Sequence, residues 1–229
     1  MDHAIVSREQ WLDARKALLH KERAMTHALD TLRAERRALP WVTVDKEYVF
    51  AGPDGDVTLG DLFDGRSQLA IYHFMLAPGS HHLCPGCSFT VDHVDAARRH
   101  FENADLAFAA VSRAPVAEIE AVKARMGWTF RWVSAHDSAF NYDFAVSFSP
   151  EDRAAGRAIY NYGTPIRDSG EMFGLSVFVK DATGAIHHAY STYHRGTELL
   201  MGAFNWLDLA PKGRNEEGTM SWVRLHDAY

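Results

Sequence analysis

The chain reads QLAIYHFM at residues 68–75 and CPGC at residues 84–87, and these two stretches decide its fold. The first is a mostly apolar run with the length of a buried strand. After the second, residues 88–102 carry apolar side chains at helical spacing: Phe89, Val91, Val94, Ala97 and Phe101. Two cysteines separated by two residues, between a strand and a helix, are the sequence form of a dithiol/disulfide site.

The position of the first cysteine predicts its chemistry. Cys84 falls at the start of the helix, where unpaired backbone N–H groups and the helix dipole stabilise a negative charge. Because the thiolate is the reactive form of cysteine, this position favours Cys84 as the nucleophile. Cys87 lies one helical turn further on and is then the resolving thiol. We therefore expect catalytic roles for Cys84 and Cys87.

Three other interpretations of the cysteine pair stay open. A zinc site needs about four ligands, and His81 and His82 stand beside the pair. A purely structural disulfide would close a very short loop, so it would remove little entropy from the unfolded chain. Two inert buried thiols are a poor match for the turn residues Pro85 and Gly86 between them. Redox chemistry is the interpretation that we favour.

The composition indicates a packed protein with a large core. The 229 residues are 47% hydrophobic and 12% aromatic, which argues against disorder. The formal net charge of −6 provides no electrostatic reason to expect a nucleic acid partner. No apolar run approaches the ~20 residues that span a membrane, and charged Arg8 and Glu9 interrupt any signal-peptide pattern. The expected compartment is the cytoplasm, where a lone cysteine pair is more often catalytic or metal-binding than structural.

Residues 7–38 are predicted to form one long helix within an N-terminal helical extension of residues 1–40. Ser7 and Gln10 have the spacing of a capping box, which satisfies free backbone donors at a helix start. Apolar residues then recur every seven positions on a highly charged helix. They are Trp11, Leu18, Met25, Leu32 and Leu39. This seam packs either on the chain's own domain or on another subunit, so a homodimer through the N-terminal helix is one expectation.

Residues 41–229 show an order of elements that predicts a fold. After the cysteine helix come an apolar strand at 105–112, a helix at 115–126, an aromatic-rich segment at about 127–171, a hairpin at 175–190 and a helix at 197–207. Strand, helix, strand, helix, hairpin and helix is the order of the thioredoxin fold. We therefore predict a thioredoxin-like α/β domain, with a central mixed sheet flanked by helices. The aromatic-rich segment is too long for an ordinary connection. It is either an insertion that covers the active-site side or an aromatic contribution to the core, and core packing is the favoured interpretation.

Several stretches also resemble a known protein family. They are ERRALPWV at 35–42, LFDGRSQL at 62–69, VSRAP at 111–115, MGW at 126–128, FNYDF at 140–144 and YSTY at 190–193. Together with the CPGC pair they resemble the DUF899 family, thioredoxin-like proteins often described as predicted dithiol–disulfide oxidoreductases. The resemblance covers nearly the whole chain. It implies a thioredoxin-like fold and carries Cys84 and Cys87 over as the redox pair, but it implies no substrate.

Two departures from related proteins bear on the chemistry. Thioredoxin-like proteins commonly place a proline before the hairpin strand, facing the disulfide, whereas residues 171–175 read EMFGL. The substrate-docking surface is therefore expected to differ. Peroxiredoxins place Thr or Ser three residues before their peroxide-attacking cysteine, and this chain has His81 there. A peroxidase is consequently less strongly indicated than general disulfide exchange.

Other polar residues near the predicted site have simpler explanations. A protonated His81 or His82 would favour the Cys84 thiolate, although two solvated loop histidines are the more common case. His73, on an apolar strand, is expected to be a hydrogen-bonded core residue. Arg113 directly follows a strand and lies at the sheet edge where α/β proteins place their sites, but a surface ion pair is its more common role.

The leading prediction is a cytoplasmic thiol–disulfide oxidoreductase. Its partners would be a disulfide-containing substrate and a dithiol reductant, and we expect no cofactor, no resident metal, no nucleic acid and no membrane. One alternative is a non-enzymatic thioredoxin-fold module that senses oxidation or binds a metal, as a dimer. Another alternative is a peroxiredoxin-like peroxidase.

Overall fold

The computed structural model describes residues 3–229, which divide into two compact units. One unit extends to Pro40, and the other is Trp41–Tyr229. Within the described residues, no helix is both long enough and apolar enough to cross a bilayer.

The first unit is a single helix, α1 (Arg8–Arg37). The Ser7 hydroxyl accepts a hydrogen bond from the Gln10 N–H at 3.2 Å, and the Ser7 N–H donates to Gln10 Oε1 at 3.1 Å. The predicted capping box is thus confirmed. None of the helix residues is buried. The apolar residues that recur every seven positions are all exposed: Trp11, Leu18, Met25, Leu32 and Leu39.

The second unit contains an eight-stranded sheet in the order β1-β10-β9-β4-β5-β6-β2-β3 and a separate pair, β7-β8. The strands in chain order are β1 (Val42–Thr43), β2 (Val49–Gly52), β3 (Gly55–Thr58), β4 (Gln68–His73), β5 (Leu106–Ser112), β6 (Arg131–Ser134), β7 (Ile159–Tyr160), β8 (Thr164–Pro165), β9 (Gly174–Lys180) and β10 (Ile186–Tyr193).

Strand β4 is the centre of this sheet. It runs parallel to β5 on one side and antiparallel to β9 on the other, and β5 continues parallel to β6. Strands β9 and β10 form an antiparallel hairpin. A parallel strand pair joined by a helical crossover, with a hairpin added on the opposite side of the first strand, is the thioredoxin arrangement. The α/β thioredoxin-like fold predicted from the sequence is therefore present.

The helices of the second unit differ from the prediction at one functionally important place. Two helices replace the single helix expected at 88–102, because the helical conformation is interrupted at Asp92 and His93. The His93 Nδ1–H donates to the Phe89 carbonyl at 2.7 Å, and the His93 backbone N–H turns to Thr90 O at 3.3 Å. The helices are α2 (Pro85–Val91), α3 (Val94–Asn103), α4 (Val116–Met126), α5 (Phe140–Asp143), α6 (Pro150–Ala154) and α7 (Gly202–Leu209).

The helix expected at 197–207 is also interrupted. A 3₁₀ segment, His194–Leu200, precedes α7, and Met201 lies between them with φ −93° and ψ 84°, outside the helical region. The Met201 side chain is buried with Phe89, Phe204 and Val223. Packing of this side chain against α2 therefore accompanies the break in the helix.

The central sheet is covered on both faces, because alternate residues of each strand point to opposite sides. Leu69 and Ile71 of β4 belong to one buried cluster, which includes Phe140 and Phe178. Ala70 and Tyr72 belong to the other, which also contains Cys87. The cysteine pair is thus anchored to one face of β4 only.

The aromatic-rich segment at 127–171 contributes directly to this core. It supplies β6 to the central sheet beside β5. Most of its aromatic side chains are buried: Trp128, Phe130, Trp132, Phe140, Phe148 and Tyr160. Tyr142 and Tyr162 are exposed.

Gly174, the first residue of β9, provides a test of the packing at the end of the sheet that holds the site. A Cβ atom at this position would lie 2.5 Å from a ring carbon of Tyr193. Tyr193 is buried and its hydroxyl donates to Phe144 O at 3.0 Å, so the ring is held in place. We expect Gly174→Ala to lower the free energy of unfolding by about 1–3 kcal/mol through overpacking.

Urea denaturation would measure this loss, with Gly163→Ala as the matched control. A Cβ at Gly163 meets no atom within 4 Å. Equal unfolding midpoints for Gly174→Ala and the wild type would show that the Tyr193 ring moves away without cost.

Candidate active site

The segment that leads from β4 to the cysteines is held against the neighbouring strand and helix. The Phe74 N–H donates to Val111 O, and the Ala114 N–H donates to Leu76 O, each at 2.9 Å. Further along, the Gly79 N–H donates to the Glu118 carboxylate of α4 at 3.1 Å. These bonds fix the approach to residue 84 at the carboxyl end of β4, where open α/β sheets place their sites.

Cys84 is the residue that caps α2. Its backbone is extended (φ −61°, ψ 113°), and Pro85 occupies the first helical turn, where its missing N–H has no cost. The Cys87 N–H donates to Cys84 Sγ at 3.3 Å. The Cys84 carbonyl accepts from the Ser88 N–H at 3.0 Å. A free backbone donor of the helix is therefore satisfied by the sulfur atom itself.

The two thiols differ in exposure and in ionisation. Both are free; Cys84 is partly exposed, whereas Cys87 is buried. The Cys87 thiol, with help from the backbone N–H groups of Cys87 and Gly86, lowers the pKa of Cys84 from 9.0 to about 7, against the opposing effect of burial. Burial, reinforced by the neighbouring Cys84, raises the pKa of Cys87 well above its usual value. Cys84 is therefore about half thiolate at pH 7 and mostly thiolate above it, whereas Cys87 stays a thiol.

Cys84 is partly exposed and packs against a large apolar cluster. It belongs to the same cluster as Leu83, Phe173 and Leu225, which are partly buried. Met220, from the C-terminal segment, lies over the turn between the cysteines: a Cβ at Gly86 would be 3.4 Å from its methyl carbon. The C-terminal segment is therefore part of the site.

Phe173 stands directly before the hairpin strand, where related proteins commonly have proline. Its carbonyl accepts a hydrogen bond from the Tyr160 hydroxyl at 2.6 Å, and that hydroxyl in turn accepts from the His194 N–H at 3.0 Å. Phe173 packs in the cluster that contains both cysteines. Phe173 is thus an aromatic residue whose backbone is held by partly buried hydrogen bonds.

Tyr72 is the residue near the thiols that sequence reasoning missed. It is 1% exposed and packs in the same cluster as Cys87. Its hydroxyl has no hydrogen-bond partner. The Cys87 thiol and Thr90 hydroxyl nevertheless lie close enough to influence its pKa, which burial raises well above 10. The only sequence signal for this residue is its place two positions before Phe74 on the buried strand.

The other predicted polar residues do not join the thiols. His81 and His82 are exposed loop residues. His73 is buried and its Nε2 contacts Ser176 Oγ at 2.8 Å, as expected for a core residue. Arg113 Nε donates to Glu171 Oε1 at 2.6 Å, in an ion pair that is more buried than a surface pair. Its guanidinium also contacts the Tyr142 hydroxyl.

The metal alternative has no ligand cluster in the described structure. Across residues 3–229, no three His, Cys, Asp or Glu side chains are grouped so that they could hold a metal ion. The two cysteines alone provide fewer ligands than a structural zinc site requires.

The model of one family, described as a bacterial protein of unknown function (DUF899), matches residues 1–229. No curated protein matched the chain. Among solved structures, peroxidoxin BcpB from Mycobacterium tuberculosis is 13% identical, with a TM-score of 0.48, and the alignment covers 72% of this chain and 97% of that one. A cysteine-to-serine mutant of Xylella fastidiosa PrxQ is 17% identical, with a TM-score of 0.46 and coverages of 72% and 94%.

A putative protein disulfide isomerase from Bacteroides thetaiotaomicron is 18% identical, with a TM-score of 0.38, and the alignment covers 78% of this chain and 94% of that one.

The ionisation of Cys84 predicts a pH dependence. Because its pKa is lowered to about 7, alkylation by iodoacetamide should rise with an apparent pKa near 7 and level off by pH 9, where an ordinary thiol is still titrating. Below pH 6 the rate should fall roughly tenfold per pH unit. The same shift stabilises the folded reduced protein above pH 9, and this gain is lost as the pH falls through 7.

The measurement is the pH profile of the alkylation rate at each cysteine, read by mass spectrometry of peptides. Buried Cys87 should react slowly at every pH and serves as the internal control. A Cys84 profile with its midpoint near 9 would contradict the stabilisation of the thiolate by the Cys87 thiol and N–H.

Proposed function

We propose that this chain, which belongs to the DUF899 family, is a thiol–disulfide oxidoreductase acting in the cytoplasm. The observation that supports this most is the asymmetry of the cysteine pair. Cys84 is accessible and accepts the Cys87 N–H at 3.3 Å, whereas Cys87 is buried one helical turn behind it. An accessible thiolate beside a protected thiol is what disulfide exchange requires.

The first step is the attack of Cys84. Its thiolate displaces one sulfur of the substrate disulfide, which leaves as a thiolate, and a mixed disulfide joins Cys84 to the other sulfur. Leu83, Phe173 and Leu225, which pack against the same apolar cluster as Cys84, provide partly exposed apolar surface. They would receive apolar side chains next to the substrate cysteine.

The second step is resolution by Cys87. Its thiol loses a proton, and the resulting thiolate attacks Cys84 Sγ, which releases the second substrate thiol and leaves the Cys84–Cys87 disulfide. The buried position of Cys87 suppresses its reaction with other disulfides before the first step. A dithiol reductant of the cell then returns the pair to the reduced form.

A peroxiredoxin-like peroxidase is the second candidate, and one observation makes it weaker. The position three residues before Cys84 is His81, an exposed side chain, where a peroxidase of that type has Thr or Ser. A redox sensor without turnover would use the same cysteine pair. Steady turnover of a disulfide substrate separates the enzyme from the sensor.

The mechanism predicts different outcomes for the two cysteines. Cys84→Ser should abolish reduction of a disulfide substrate such as insulin, because the nucleophile is missing. Cys87→Ser should still form mixed disulfides but fail to release them, so covalent adducts accumulate. The assay is insulin reduction with dithiothreitol as the reductant, combined with non-reducing electrophoresis.

A redox titration of the wild type in dithiothreitol buffers, read by alkylation and mass spectrometry, is the control. It establishes whether Cys84 and Cys87 interconvert reversibly between the dithiol and the disulfide. A reversible two-electron transition near the cellular poise supports the enzyme. Full activity of Cys84→Ser, or a pair that never forms a disulfide, would contradict the proposal.

For the N-terminal helix we propose an antiparallel pair formed with a second copy of the chain. Lys21 and Glu35 occupy two of the intermediate positions that, with Ala14 and Ala28, would complete a regular heptad seam, and they are 14 residues apart along α1. In a parallel pair each would meet its own copy, which opposes like charges. In an antiparallel pair centred near Ala28, Lys21 of one copy lies beside Glu35 of the other.

This pairing predicts the mass in solution. The wild type should sediment at twice the 25.7 kDa of the chain at micromolar concentration, and Met25→Glu should sediment as a monomer. Met25 is 72% exposed in the single chain, so its replacement should not disturb folding. His27→Glu, on the opposite side of the helix, is the control and should stay dimeric. A monomeric wild type would contradict the pairing.

A further inference from the structure

The buried hydroxyl of Tyr72 is a feature that packing alone does not explain. Tyr72 lies in the middle of the core, on β4, between Leu175 of β9 and Ala110 of β5. Its ring packs edge-on against Phe74 at a centroid distance of 6.4 Å. The hydroxyl is buried without a hydrogen-bond partner, and a buried polar group without a partner costs stability that phenylalanine would not.

The position of this hydroxyl points to the resolving thiol. Tyr72 and Cys87 share one buried cluster, beside Thr90 of α2, whose own hydroxyl already donates to Gly86 O at 3.0 Å. The neutral Cys87 thiol is a weak acceptor, so it leaves the phenol unsatisfied in the reduced resting protein. A thiolate on Cys87 would be a strong acceptor in this apolar surrounding.

We propose that Tyr72 is a positioning residue for the second step: its hydroxyl donates a hydrogen bond to the Cys87 thiolate that forms when the mixed disulfide is resolved. This inference rests on the proposed function, because it assigns a role within that reaction. Tyr72 gives up no proton. The proton of Cys87 goes to water, the new bond joins Cys87 Sγ to Cys84 Sγ, and the bond that breaks releases the substrate thiolate.

Two further facts agree with this role. Burial and the adjacent Cys87 raise the pKa of Tyr72 well above 10, so the phenol stays protonated and able to donate throughout the physiological range. The phenol in turn lowers the pKa of Cys87, which burial and Cys84 raise. The pH at which Cys87 becomes a nucleophile is thus set partly by Tyr72.

The reaction with 5,5′-dithiobis(2-nitrobenzoic acid) separates the two steps. Cys84 attacks the reagent and releases one thionitrobenzoate, and Cys87 then attacks the mixed disulfide and releases the second. Tyr72→Phe should leave the first phase unchanged and slow the second at least tenfold at pH 7. The pH midpoint of the second phase should also rise by about one unit, which a merely structural role would not cause.

Matched variants distinguish this effect from a general loss of structure. Tyr48→Phe removes a hydroxyl that pairs with Asp143, on the other face of the sheet, and should leave both phases unchanged. Tyr72→Phe should unfold at the same temperature as the wild type or higher, because the lost hydroxyl has no partner. Replacement of Tyr72 by 3-fluorotyrosine, a more acidic phenol, should accelerate the second phase.

A second measurement tests the effect of Tyr72 on the ionisation of Cys87 and does not require the protein to reduce a disulfide. In the Cys84→Ser protein, the titration of Cys87 is followed by ¹³C NMR of its Cβ, with and without Tyr72→Phe. An upward shift with Tyr72→Phe supports the inference, even if the wild type shows no second phase and the proposed function fails. Equal second phases for the wild type and Tyr72→Phe, or an unchanged Cys87 titration, would overturn the role of Tyr72 and leave the oxidoreductase proposal standing.

Discussion

The hydrogen bond from the Cys87 N–H to Cys84 Sγ is the interaction on which the chemistry of this chain depends. It places a sulfur atom where a helix normally needs a side-chain oxygen, so the requirement of the helix for a cap becomes stabilisation of a thiolate. Pro85 begins the first turn, and the Met220 side chain lies over Gly86.

The strand that leads to this hydrogen bond, β4, is held on both faces and on both edges. Four of its six residues, Leu69 to Tyr72, alternate between two buried clusters, and neighbouring strands pair along its whole length. A strand buried in this way ends at a defined position in the fold. The hydrogen bonds at Phe74, Leu76 and Gly79 then fix the path of the loop from this end toward residue 84. Hydrogen bonds to the neighbouring strand and helix thus hold the chain between β4 and the cysteines.

Some buried polar side chains of this core form hydrogen bonds to one another, and others contain an atom without a partner. On the face away from the thiols, His73 Nε2 contacts Ser176, Ser176 contacts Ser191, and Ser191 contacts His188, at 2.8, 2.8 and 2.7 Å. Burial lowers the pKa of His73 to about 3, so it is neutral and acts as a structural link between three strands. On the face with the thiols, the Tyr72 hydroxyl is left without a partner. His73 Nδ1, on the other face, is also buried without a partner, and the Tyr72 hydroxyl differs from it in lying in the cluster that contains Cys87.

The sequence by itself determined the features that depend on short spacings: the capping box of α1, the strand before the cysteines, the helix after them and the order of elements in the fold. It also indicated that His73 belongs to the core. Only the tertiary structure decided the rest. The helix break at His93 involves the Ala203 N–H, 110 residues away, and β6 joins the sheet through its pairing with β5. The tertiary structure also decides that the Tyr72 hydroxyl is buried without a hydrogen-bond partner and that Met220 lies over Gly86. Periodicity and caps are set within a few residues, whereas burial and pairing depend on which distant residues meet, and no local pattern records that.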